Sequence, residues 1–182
     1  IRMHLEREYG IDFDAGLSPV ERATALAIEL MIDRELAPAF TYFRWLVPAN
    51  FEKGPAQFFN GAPTEHREAI KKDVLERVRA GFMARGIARH NEVEITLLAE
   101  RSLDALEVFI GDKPYLMGDQ PCGTDAFVFA TLAGAMTPFF DTPVRDAAIS
   151  RPRLVAYVSR MMDRFYPEFE WDAGINPARQ AA

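Results

Sequence analysis

The sequence predicts an all-α protein, and three observations carry that expectation. Apolar residues recur at spacings of three and four along most of the chain. Helix entrances built on Ser18-Pro19, Thr64 and Asp125 stand ahead of those runs. No period-two alternation marks a strand, and no internal repeat or low-complexity tract is present. At 182 residues, the chain is long enough to bury one sizeable core.

The elements follow in order. Ile1-Arg2-Met3-His4-Leu5-Glu6 reads as the last turns of a helix, stopped by Tyr9-Gly10. Ser18 is an N-cap, with Pro19 at the first helical position. From Val20 the apolar residues Ala23, Leu26, Ala27, Leu30 and Met31, with Ile28, Ile32 and Leu36 beside them, cover most of the circumference. So wide a face belongs to a helix packed by neighbours on several sides. Pro38 should kink this helix rather than end it, because the pattern resumes at Phe40. Residues 50–63 form a connecting loop, anchored by Phe51, Phe58 and Phe59.

Thr64 caps a second long helix with Ile70, Val74, Val78 and Phe82 on one side, weakened at Gly81 and broken near Gly86. A third spans 92–110, with Ile95, Leu98, Ser102, Leu106 and Phe109 inward. The apolar run 126–136 is a buried fourth helix. Ser150 and Pro152 open a fifth, with Leu154, Val158, Met161 and Phe165 inward, and Pro167 closes it. Residues 170–182 are expected to be a loosely held tail.

The most informative stretch is Tyr115-Leu116-Met117-Gly118-Asp119-Gln120-Pro121-Cys122-Gly123-Thr124-Asp125-Ala126-Phe127-Val128-Phe129. A turn at Gly118-Asp119 and a stop at Pro121 lead to Asp125, three residues after Cys122. That is the N3 place of a capping-box-like start, where a carboxylate bonds a free backbone N–H. This pattern resembles the C-terminal helical domain of glutathione transferases, and within them the branch of metaxin and the failed axon connections protein. Tyr42-Phe43-Arg44-Trp45, Gly86-Ile87-Ala88-Arg89-His90 with Glu92 and Glu94, and Pro152-x-Leu154-Val155-x-Tyr157-Val158-x-Arg160 match that branch in the same order. The resemblance spans roughly 17–169.

The resemblance implies a glutathione S-transferase C-terminal-like bundle over 14–169. Residues 1–13 would be the end of a thioredoxin-like N-terminal domain and the linker from it. Glutathione, the cosubstrate, would be held mainly by that domain. No catalytic residue is therefore expected within the chain, which would not catalyse conjugation alone. Its partners would be its own N-terminal domain, a second copy in a homodimer, and a small hydrophobic electrophile.

Composition sets limits. A net charge of −6 and a pI near 5.2 argue against a nucleic-acid binder. Lys71-Lys72 and Arg77-Arg79 are interleaved with Glu65, Glu68, Asp73 and Glu76, as on a solvated helix face. One Cys rules out an internal disulfide. No signal peptide is visible, and the apolar tract 126–140 falls short of a membrane span. The expectation is a cytoplasmic protein without a membrane partner. His4, His66 and His90 lack metal-ligand spacing, and no nucleophile elbow or phosphate loop is present.

The substrate-binding candidates are Tyr42, Arg44 and Trp45, which in glutathione transferases would lie at a helix end facing the interdomain cleft. A phenol, a guanidinium and an indole offer an apolar wall with a few donors. The same residues also fit two core aromatics beside an exposed Arg44. Cys122 at a helix start could be a reactive thiol, or a small half-buried cap residue, which is the plainer reading. Asp125 is read as structural. A non-catalytic interaction module of the metaxin type is the alternative to an enzyme.

Overall fold

The computed structural model describes residues 1–171; the tail expected at 170–182 lies, from 172 onward, outside the described residues. Nine α-helices occur among them and no strand. They are α1 (Arg2–Tyr9), α2 (Pro19–Met31), α3 (Ala37–Leu46), α4 (Pro48–Lys53), α5 (Thr64–Arg85), α6 (Glu92–Ile110), α7 (Gly123–Met136), α8 (Pro143–Ile149) and α9 (Pro152–Phe165). The all-α bundle read from the sequence is the observed architecture.

Helix α2 starts on a complete capping box: Glu21 N–H donates to Ser18 Oγ, and Ser18 N–H to Glu21 Oε2 at 2.7 Å. The chain stays helical through Pro38, but the adjustment lies one turn earlier. Ile32–Leu36 is a π-helical segment, closed by Ala37 N–H donating to Ile32 C=O. Pro38 has no N–H for the Arg34 carbonyl and its ring crowds that group, so a wider turn ahead of it relieves both problems.

Several boundaries differ from the expectation. Residues 50–63 are not a plain loop: α4 and a 3₁₀ turn, Pro55–Phe59, occupy most of them. Phe51 is a buried anchor there, whereas Phe58 is exposed. Thr64 is the first residue of α5, and the cap position falls to Pro63, which offers no side-chain acceptor. Gly81 does not interrupt α5, which runs to Gly86 at φ +97°. Of its expected apolar row only Phe82 is buried, so α5 flanks α3 rather than entering the core.

Ser150 does not start the fifth expected helix. It ends an additional one, α8, whose N-cap Thr142 accepts from Arg145 N–H at 3.0 Å. Helix α9 then begins at Pro152, and Phe165 is exposed rather than inward.

Helix α7 is the centre. Val128, Leu132 and Met136 are fully buried against α2 and the π segment on one side and α8 and α9 on the other. Helix α6 closes the far side with Ile95, Ala99, Leu103 and Leu106 at 0% exposure. Leu103, absent from the expected inward set, is there because α6 packs against several elements and buries a wide stripe.

Candidate functional site: the face of α2 and α7 beside α1

The start of α7 is densely bonded. Asp125 is completely buried. Its Oδ2 accepts from Cys122 N–H at 2.9 Å, and its Oδ1 accepts from Leu116 N–H at 3.0 Å and from Tyr157 O–H at 2.9 Å. One carboxylate thus closes the capping box, pins the 115–118 turn and ties α9 to α7. Burial and the adjacent carboxylate push the Tyr157 phenol far above its ordinary range, so it stays a donor.

Cys122 is the N-cap, with extended backbone. Burial first, and Asp125 second, push its thiol up to about 11. That is the reverse of what a helix N-terminus alone would do. Both effects favour the protonated thiol, which speaks for the plainer reading of Cys122 as a half-buried cap residue.

A second network binds α1 and the following linker to the same helix end. Arg2 Nη2 lies 2.5 Å from Asp14 Oδ2, Arg2 Nε 3.0 Å from Glu6 Oε1 and Arg2 Nη1 3.3 Å from Glu29 Oε1. Gly123 N–H, the first donor of α7, is shared between the Phe13 carbonyl at 2.9 Å and the buried Asp14 carboxylate at 3.1 Å, so the linker is bonded directly to the helix start. Thr124 O–H donates to Glu29 Oε1 at 2.6 Å. A Cβ on Gly123 would stand 2.8 Å from the Arg2 guanidinium, so only glycine admits this approach.

Next to this clamp the apolar surface is bare. Leu26 is 57% exposed, Leu30 49% and Phe127 37%. With Leu5, Phe13 and Ala126 they line a groove of 490 Å³ between α1, α2 and α7. Helix α2 buries Ala25 and Ile28 on one side and leaves the other apolar side uncovered. The wide apolar circumference of α2 was legible in the sequence; that half of it faces outward was not.

The three expected substrate residues are not brought into one cavity. Tyr42 packs against Phe43 and Phe82, with ring centroids 5.6 and 6.1 Å apart. Arg44 and Trp45 share a separate cavity with Lys53, Phe58, Phe139 and Phe140. Arg44 bonds the Gly134 carbonyl, near the end of α7 opposite the clamp at Gly123. Eleven helical residues separate those points, about 16 Å at 1.5 Å per residue. Among the described residues no His/Cys/Asp/Glu group could hold a metal ion, and no helix is long and apolar enough to cross a membrane.

Comparison with known proteins points in one direction. A family model described as glutathione S-transferase, C-terminal domain, matches residues 99–161. Another, glutathione S-transferase N-terminal domain, matches residues 1–50, a stretch whose secondary structure here is helical. The isoprene-epoxide–glutathione S-transferase of Rhodococcus sp. (strain AD45) is 26% identical over 164 residues, covering 89% of this chain and 69% of that protein. Metaxin-1 of Macaca fascicularis is 25% identical over 187 residues, covering 97% of this chain and 57% of that protein. Human metaxin-1 is also 25% identical, with 39% of its length covered. No solved structure gives a match. Both family models and both kinds of relative point the same way, to the glutathione S-transferase superfamily near its metaxin branch.

Proposed function

We propose that this chain is the helical half of a glutathione S-transferase-like enzyme, and that the α1–α2–α7 groove is the face covered by a thioredoxin-like, glutathione-holding domain. The observation that carries the reading is the bare apolar groove lying beside a polar clamp that fixes α1 to α7. Interfaces between domains of one chain typically bury about 600–1,500 Å², and an uncovered apolar groove costs solubility unless something covers it.

The rim of this groove, rather than the Tyr42–Trp45 turn, is the wall nearest to a thiol carried by such a domain. The reaction class is attack of a glutathione thiolate on a small apolar electrophile. The Rhodococcus relative, named for an isoprene epoxide, favours an epoxide. The chain supplies shape and exclusion of water, and Cys122, held protonated, supplies no nucleophile.

The test is conjugation of glutathione to a small epoxide by the full-length protein and its Leu30→Glu variant. Turnover in the parent, with loss of turnover and of glutathione-resin retention in the variant at an unchanged helical circular dichroism, supports the reading. Equal turnover in both would sink it. The metaxin relatives favour a second reading, a non-catalytic interaction module. Domain association through the groove without any conjugation is its signature.

A further inference from the structure

We infer that the cavity at the far end of α7, between Arg44, Trp45, Lys53, Phe58, Phe139 and Phe140, is a ligand site for a small aromatic carboxylate. It is separate from the groove, and the inference does not depend on the docking reading.

The cavity measures 350 Å³ and is walled by Trp45, Phe58, Phe139 and Phe140. That volume lies at the small end of ordinary ligand sites, which are apolar with a few fixed polar groups. Phe139 and Phe140 meet edge to face at 4.8 Å, and Trp45 and Phe58 lie 6.3 Å apart. Phe58 is 76% exposed, a large ring left uncovered at the mouth. Gly54 lets the Phe140 ring close on the backbone, since a Cβ there would come within 2.6 Å of it.

The charged part of the lining has one sign. Arg44 and Lys53 are its charged residues, and no Asp or Glu lines the cavity. The Arg44 guanidinium is sandwiched between Phe40 at 4.6 Å and Phe140 at 4.7 Å, and it gives one hydrogen bond to the Gly134 carbonyl. It forms no ion pair with a carboxylate among the described residues. Half-buried arginines usually have such a partner, because rings and a single carbonyl replace only part of the lost hydration. Burial correspondingly lowers its pKa, while an arginine stays charged at neutral pH. Lys53 sits over Phe139 at 5.3 Å, a second cation at the same opening. A carboxylate placed between Arg44 and Lys53 would take up the unused donors. Its ring would pack on Trp45 and Phe58.

The experiment is titration of the protein with 4-phenylbutyrate and with its uncharged analogue 4-phenylbutanamide, followed by calorimetry and tryptophan fluorescence. Expected are saturable binding of the acid, a fluorescence change that persists in Trp171→Phe, and at least about tenfold weaker binding of the amide. Arg44→Gln should weaken the acid about tenfold. Lys53→Met and Phe58→Ala, at exposed positions, should weaken it several-fold without moving the melting temperature, so a folding defect in the Arg44 variant leaves the test intact. Equal affinity for acid and amide overturns the inference. So does unchanged affinity in the Lys53 and Phe58 variants, absence of binding in the millimolar range, or loss of binding in Leu30→Glu, which would move the ligand to the groove.

Discussion

Asp125→Ala removes the acceptor of three buried or half-buried donors at once: Cys122 N–H, Leu116 N–H and Tyr157 O–H. A donor left unpaired in the interior costs about 1–3 kcal/mol, and loss of an N-cap interaction about 1 kcal/mol. Water reaching the half-buried Cys122 end offsets part of this, so the total is about 3–5 kcal/mol. Set against the 5–15 kcal/mol typical of a domain, that is roughly a fifth of the stability or more. At about 2–4 °C per kcal/mol for a chain of this size, the melting midpoint drops by about 6–20 °C. The assay is urea unfolding of the parent, Asp125→Ala, Tyr157→Phe and the double variant. Tyr157→Phe alone should cost about 1.5–2 kcal/mol, since its hydroxyl donates to an ionised group. In the Asp125→Ala background it should cost less, because only the Asp125 carbonyl, 3.2 Å away, remains as acceptor. A coupling energy of about 1 kcal/mol or more is expected. A loss below about 1 kcal/mol for Asp125→Ala, or costs that simply add, would refute the claim that this carboxylate organises the helix start.

Three more outcomes are expected. A Cys122 thiol at about 11 is about 0.1% thiolate at pH 8, so iodoacetamide labelling should run about a hundredfold slower than for an ordinary thiol and accelerate as pH rises; rapid labelling at pH 7 contradicts the buried-cap geometry. Gly123→Ala drives a Cβ into the Arg2 guanidinium, so proteolysis within residues 10–18 should quicken several-fold while the core melting temperature moves little; an unchanged cleavage rate means that Arg2 does not clamp α1. Arg22, together with the Asp14 N–H, holds the Asp12 carboxyl below its ordinary range, and Ser18 does the same for Glu21. A depressed carboxyl stabilises the fold above its unfolded pKa and loses that contribution as pH falls through the lowered value. Hydrogen exchange at the linker amides should therefore stay slow down to about pH 4 and rise below it; a rise already near pH 6 would point to another group.

Helices that announce themselves by a cap and a long apolar run were legible in the sequence. Ser18-Pro19 and Asp125 were found because each precedes a run long enough to show a period of 3.6. Thr142-Pro143 carries the same entrance signal, yet α8 went unread because its seven residues span two turns and give no period to count. An Asn91–Glu94 capping box, which was not read from the sequence, fixes the start of α6. The π segment was not legible: Pro38 predicts a disturbance, but its position one turn upstream depends on how Ile32 and Leu36 fit the core. Candidate-site residues were harder still. Tyr42, Arg44 and Trp45 are close in sequence, but a helix sends residues two apart to different sides, and Trp45, three residues on and one turn further along, meets Phe51 and Phe58 instead of the neighbours of Tyr42. Tyr42 therefore meets α5, while Arg44 and Trp45 meet the segment after α7.

The same geometry explains why the residues that line the groove could not be named from the sequence. A helix apolar on every side reads as buried, since sequence records what a residue prefers and not which neighbour satisfies it. In α2 and α7 the demand for cover exceeds what this chain's own helices supply, and the excess is concentrated on adjoining strips: Leu26 and Leu30 on one helix, Ala126 and Phe127 on the other. Chance exposure would scatter such residues. Their convergence beside a clamp of Arg2, Asp14 and Glu29 ties the uncovered surface to the segment that enters the bundle, so the orientation of α1 and the shape of the groove are set by one set of bonds. A change in that clamp should alter what docks in the groove before it alters the core, because none of the α1 residues is buried in the bundle.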